Sequence, residues 1–121
     1  MSKIKSFTDL EVWKKAHQLV LEIYKTVSQF PKEEIYGLSS QIKRSSVSIP
    51  SNIAEGFVRK GKKEKIQFYY IALGSVTELK SQLLIAKDLK FVQKKAFQKL
   101  ANLTIEVSKL IVSLIKSTNN R

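Results

Sequence analysis

Cysteine is absent from this 121-residue chain, histidine occurs once, proline twice and glycine four times. Without cysteine there can be no disulfide, no thiolate nucleophile and no cysteine-ligated zinc, and the composition suits a reducing cytoplasm. The lone His17 has no glutamate at the Glu-x-x-His spacing by which helical bundles hold carboxylate-bridged metals. No metal or other cofactor is expected. A serine nucleophile needs a base held in turn by a third group, and a single histidine does not supply such a set. Gly37, Gly56, Gly61 and Gly74 stand apart from one another, so no glycine-rich phosphate loop is formed. An enzyme would have to rest on Glu55 or Asp9 acting alone, and none is expected. Apolar runs such as Leu83–Ala86 fall far short of the ~20 residues a membrane-spanning helix needs. No signal-peptide stretch follows the early lysines. The expectation is a soluble, cytoplasmic protein without membrane attachment.

Acid is the other scarce commodity: 22 basic residues face 10 acidic ones, for a net charge of +12. Such an excess repels itself and finds its natural complement in an anionic partner: nucleic acid, an anionic membrane or an acidic protein.

What the chain does contain is helical periodicity, little interrupted by glycine or proline. A Thr-x-x-Glu pair, Thr8 and Glu11, reads as a capping box, with Phe7 and Val12 as its hydrophobic staple. Leu10, Trp13, Ala16, Val20, Ile23, Tyr24, Val27 and Phe30 then recur at spacings of three and four, until Pro31 closes the segment. A second stripe runs from near Lys32–Glu34 through Ile35, Leu38, Ile42, Ser46, Ile49 and Ile53 to about Phe57. Pro50 lies inside it. The stripe keeps its phase across Pro50, which favours one bent helix over two shorter ones. After Gly61, a third stripe carries Ile66, Tyr69, Tyr70, Leu73, Val76, Leu79, Leu83 and Ala86. A break near Lys90–Val92 precedes a fourth with Phe97, Leu100, Leu103, Val107, Leu110, Ile111 and Leu114. Ser117–Arg121 reads as a frayed tail. The fold class is therefore all-α: a single domain over 1–121, ordered over about 7–117, built as an antiparallel up-and-down four-helix bundle with a proline-kinked second helix.

That topology brings the N-terminus, the second turn and the C-terminus to one end. Lys3, Lys5, Arg59, Lys60, Lys62, Lys63, Lys65, Lys116 and Arg121 collect there, against Asp9, Glu11, Glu55 and Glu64. Arg59, Lys60, Lys62, Lys63 and Lys65, together with Lys43 and Arg44, are the candidate nucleic-acid-binding residues. Cations so grouped neutralise phosphates and release counterions. A Lys-rich helix surface can equally be just a solvated face. Lysine far outnumbers arginine, which favours backbone contacts over bidentate reading of bases.

The segment Ser45–Gly56 is small and polar where a packed helix should be apolar. Its serines can bond back to the preceding turn, and Asn52 and Glu55 share a helix face. Ser48, Pro50, Asn52, Glu55 and Gly56 are singled out as a structural motif, either a buried polar network that fixes helix register or a ligand site. Gly74-Ser75 suggests a close helix approach. Trp13, Tyr24, Tyr36, Tyr69 and Tyr70 suit core or subunit packing, and they could also stack on bases.

Certain runs carry a likeness to a known family. They are Asp9-Leu10-Glu11-Val12-Trp13-Lys14-Lys15-Ala16, Phe30-Pro31, Glu34-Ile35-Tyr36-Gly37-Leu38 and Gln41-Ile42-Lys43-Arg44-Ser45. The most specific is Ser48-Ile49-Pro50-Ser51-Asn52-Ile53-Ala54-Glu55-Gly56, followed by Arg59, with Ile71–Ser75 and Glu78-Leu79 completing the set. Over residues 7 to 115 the chain resembles the bacterial four-helix-bundle proteins named after the 23S ribosomal RNA intervening sequence, the S23 family. The resemblance implies an up-and-down bundle, a ring-like homopentamer and no catalytic residues. A more distant likeness is to the accessory protein of diversity-generating retroelements, a basic pentamer that binds nucleic acid and a reverse transcriptase. Five copies would bring about +60 into one ring, to be offset by apolar interface or by a bound polyanion.

Two classes of function remain: a non-enzymatic homo-oligomer that binds nucleic acid, RNA before DNA, and a protein-interaction scaffold. Peripheral membrane binding has less support, because no Trp/Phe-rich anchor accompanies the basic loop.

Overall fold

A computed structural model describes residues 3–121. A 3-10 turn, Phe7–Asp9, leads into helix α1 (Glu11–Val27), and a second, Lys32–Glu34, leads into α2 (Leu38–Val58). Helices α3 (Lys62–Asp88) and α4 (Lys94–Asn119) follow, and among the described residues there is no strand. Cross-helix contacts give the directions. Ser45 meets Gln82, Ser48 meets Ser75 and Gly56 meets Tyr69, so α2 and α3 run antiparallel. Lys15 with Glu106 and Glu22 with Lys99 show the same for α1 and α4. Among the described residues each helix packs on two neighbours and none on its diagonal, with α1 and α3 both seated between α2 and α4.

The core follows the helical stripes. Ala16, Leu19, Ile23, Ile42, Ile49, Ile53, Val76, Leu79, Val107 and Ile111 are fully buried. One helix runs unbroken through Pro50. Proline inside a helix costs about 3 kcal/mol. Burying Ile49 and Ile53 on either side of it contributes about 2 kcal/mol each, which is enough to hold the helix together.

The ends depart from the sequence-based expectations. The capping box is made by Ser6 and Asp9, not by Thr8 and Glu11. The Thr8 amide donates to Ser6 Oγ, while the amides of Lys5 and Ser6 donate to Asp9 Oδ2 at 2.9 and 3.0 Å. These two bonds hold the Asp9 carboxyl below its ordinary value. Phe7 packs edge-on against Trp13, ring centroids 5.4 Å apart, where Val12 was the expected partner. Ile35 is exposed, because α2 begins only after Gly37, where Glu34 Oε1 accepts from the Leu38 amide. The predicted frayed tail is helical to Asn119, with Thr118 buried.

Helix α3 ends in a Schellman-type turn. The amide of Phe91 donates to Ala86 O and that of Lys90 to Lys87 O. Lys90 takes the left-handed position at φ 65°, where glycine is usual. A side chain there costs about 1 kcal/mol. Lys90→Gly should therefore raise stability by about 1 kcal/mol, read as a shift of the urea midpoint at unchanged m-value.

Candidate nucleic-acid interface and the polar seam behind it

The turn between α2 and α3 is held from inside by one of its own cations. The last carbonyls of a helix lack intrahelical partners. Lys65, in the first turn of α3, folds back and donates from Nζ to Phe57 O at 2.6 Å and Gly56 O at 3.4 Å, with its ammonium 5.4 Å from the Phe57 ring. Burial, and then the positive charge of Arg121, hold the Lys65 ammonium below the usual lysine range. Arg59 is also committed. Its Nη2 lies 3.0 Å from Glu55 Oε2, its guanidinium sits 4.8 Å over the Phe68 ring, and its Nε is buried without a partner.

The rest of the cluster faces water. Lys60, Lys62 and Lys63 are exposed, and among the described residues none pairs with a carboxylate; Lys62 Nζ donates to Asn119 O at 3.1 Å. Of the four acids expected to offset the pole, Asp9 is taken by backbone amides and Glu11 by Lys14, while Glu55 offsets only Arg59. Lys62 and Lys63 also stand in the first turn of α3, at the positive end of the helix dipole. Cations there are disfavoured, by about 0.3–1 kcal/mol each.

Lys43 and Arg44 do not join this group. Arg44 is fifteen residues before Arg59 along α2, about 22 Å at ~1.5 Å per residue. Lys43 Nζ lies 5.1 Å over the Tyr24 ring, and Arg44 borders a groove with Gln41, Ser45, Ser48, Glu78 and Gln82. A surface groove of ≈ 770 Å³ lies at the far end of the bundle between α1 and α4, around Glu22, Lys25 and Lys99.

The Ser48–Gly56 motif forms the α2–α3 contact. Ser48 and Ser75 share a hydroxyl hydrogen bond of 2.8 Å, and Asn52 Nδ2 donates to Ser48 O and Ser48 Oγ at 2.8 and 3.0 Å. One helical turn earlier, Ser45 donates to Gln82 Oε1 at 2.7 Å. Gly56 ends the seam. A Cβ there would stand 2.6 Å from Tyr69 Cε1 and 3.1 Å from Lys65 O, so only glycine lets the helices come this close. Of the Gly74-Ser75 pair read as a point of close approach, Ser75 makes the contact with α2, while a Cβ at Gly74 would meet nothing within 4 Å. Gln82 carried no signal in the sequence: its role depends on which helix faces α2. Glu55 turns to Arg59 and takes no part with Asn52. Tyr69 is core, while Tyr24, Tyr36 and Tyr70 are exposed.

Among the described residues no three His, Asp or Glu side chains gather as a metal site, and no helix is long and apolar enough to cross a membrane. His17 stacks on Trp13, ring centroids 4.9 Å apart.

With the bundle and its seam in place, the sequence profile of the 23S rRNA-intervening sequence protein family matches residues 8–113. The chain belongs to this family. The match spans both halves of the seam and the α2–α3 turn, and stops before Arg121. A protein of unknown function from the S23 ribosomal protein family of Bacteroides thetaiotaomicron VPI-5482, known from a crystal structure, superposes with a TM-score of 0.81 at 24% sequence identity, covering 87% of this chain and 98% of its own. That likeness is one of fold. Among curated proteins none matches the chain.

Proposed function

We propose that this 23S rRNA-intervening sequence family protein is a non-enzymatic, cytoplasmic homo-oligomer, a pentamer by family resemblance, that binds nucleic acid, RNA before DNA, through phosphate contacts at its basic pole. The carrying observation is that Lys60, Lys62 and Lys63 are exposed, unmatched by carboxylates and, for Lys62 and Lys63, set where the helix dipole disfavours them. Exposed cations that no carboxylate neutralises are open to a polyanion. Lysine ammonium groups are point charges, so the contacts position a backbone and do not read its sequence.

The test is a fluorescence-anisotropy titration of a single-stranded RNA across salt. With three to six phosphates neutralised, the log–log slope should be about −2 to −4. Absence of binding at about 50 mM salt ends this reading.

A scaffold role is favoured by a different observation. The outer face of α3 and α4 exposes Leu84, Ile85, Ile105 and Val112, beside an apolar groove lined by Leu83, Phe97 and Ala101. Apolar surface of this kind serves self-association or a protein partner. A protein retained after nuclease treatment would favour the partner.

A further inference from the structure

Behind the surface lysines the pole holds a partly enclosed cavity of ≈ 170 Å³ between the start of α3 and the end of α4. Phe57 and Leu114 form part of its apolar wall, and its polar lining is Lys65, Tyr69, Thr118 and Arg121. Among the described residues no Asp or Glu side chain lines it. Tyr69 and Thr118 are 2% and 3% exposed, and both line this space. Two hydroxyls and two cations lining one space form a donor set suited to an anion. Lys65 uses two of its three N–H donors on Phe57 O and Gly56 O, which fixes the ammonium and leaves the third free.

Size and charge narrow the occupant. The space, ≈ 170 Å³, equals about six waters at ~30 Å³ each, enough for a phosphate group. A phosphate monoester carries about −1.5 to −2 at neutral pH, which matches two cations. A diester carries one negative charge and must leave the cavity by two chains.

We propose that this cavity binds a phosphate monoester, with Lys65 and Arg121 neutralising it and the Tyr69 and Thr118 hydroxyls donating to it, and that the monoester is the terminal phosphate of a nucleic-acid strand lying across Lys60, Lys62 and Lys63. The choice of strand end rests on the nucleic-acid reading above; the phosphate site itself does not.

The experiment uses the full chain and one RNA oligonucleotide carrying a 5′-phosphate, a 3′-phosphate or hydroxyls at both ends, titrated at fixed ionic strength. A phosphorylated end should bind about ten-fold tighter than the hydroxyl form. Tyr69→Phe and Thr118→Val should each erase that preference while leaving the hydroxyl oligonucleotide's affinity unchanged; both keep the buried shape of the native residue. Changing Lys60, Lys62 and Lys63 to Glu should weaken all three oligonucleotides and leave their ratio alone. In a second arm, inorganic phosphate is compared with chloride in thermal unfolding, where ligand at ten times its Kd should raise Tm by ~5 °C. Equal affinities with a phosphate-specific Tm rise, lost in Thr118→Val, keep the site and assign it to free phosphate. Equal affinities without that rise overturn the proposal. If no oligonucleotide binds, the nucleic-acid reading fails and the phosphate arm alone decides the cavity.

Discussion

Gly56→Ala should lose about 2 kcal/mol of stability, while Gly74→Ala in the neighbouring helix should gain about 0.5–1 kcal/mol. Alanine is intrinsically the better helix residue by roughly 0.5–1 kcal/mol, so both substitutions start with the same advantage. At Gly74 nothing opposes it, because the added methyl meets no atom within 4 Å. At Gly56 the methyl would stand 2.6 and 2.9 Å from two carbons of the Tyr69 ring. That ring is itself buried, and the Lys65 carbonyl at 3.1 Å is backbone and cannot yield without moving α3. Overpacking of this kind costs about 1–3 kcal/mol, and rigid neighbours place it at the upper end. Thermal unfolding of both variants is the measurement, with a loss of ~8 °C in Tm expected for Gly56→Ala. Equal shifts would mean that the helices do not meet at Gly56.

The second large effect is on binding. Changing Lys60, Lys62 and Lys63 together to Glu should lower affinity for single-stranded RNA by more than about 100-fold near 100 mM salt, because three attractions become three repulsions and fewer counterions are released. The same change should leave helical content intact and Tm equal or higher. Glutamate in the first turn of α3 complements the helix dipole that lysine opposes, and the single hydrogen bond lost, from Lys62 Nζ to Asn119 O, is exposed. A gain in stability with a loss of binding distinguishes lysines kept for a ligand from lysines that are only solvated. Circular dichroism and anisotropy on one preparation check both halves, and unchanged RNA affinity would move the interface elsewhere on the bundle.

The architecture was legible because burial enforces period. Ala16, Ile23, Ile42, Ile49, Ile53, Val76, Leu79, Val107 and Ile111 stand at helical spacing and are fully buried. The helix starts were harder to read. Ser6–Asp9 and Thr8–Glu11 both fit the capping pattern, and the choice between them depends on Leu10, which is extended and buried and so delays α1 to Glu11. The polar seam was half legible. Serines inside a helix signal an unusual surface, but their partners Ser75 and Gln82 come from a different stripe, and only the α2–α3 register brings them together. The charge cluster was legible as a count and not as a geometry. Lys65 and Arg59 have long stems that fold back onto carbonyls, a ring and Glu55, while Lys43 and Arg44 lie near the cluster only in composition. Spacing along a chain does not tell which cations are consumed locally.

The side chains of the α2–α3 seam, Ser45, Ser48, Asn52, Ser75 and Gln82, carry no proton that leaves or arrives at any ordinary pH and no charge for electrolyte to shield. The scaffold and its ligand-facing end therefore answer to different conditions. Ionic strength can be swept widely to release a polyanion while this uncharged seam keeps its geometry.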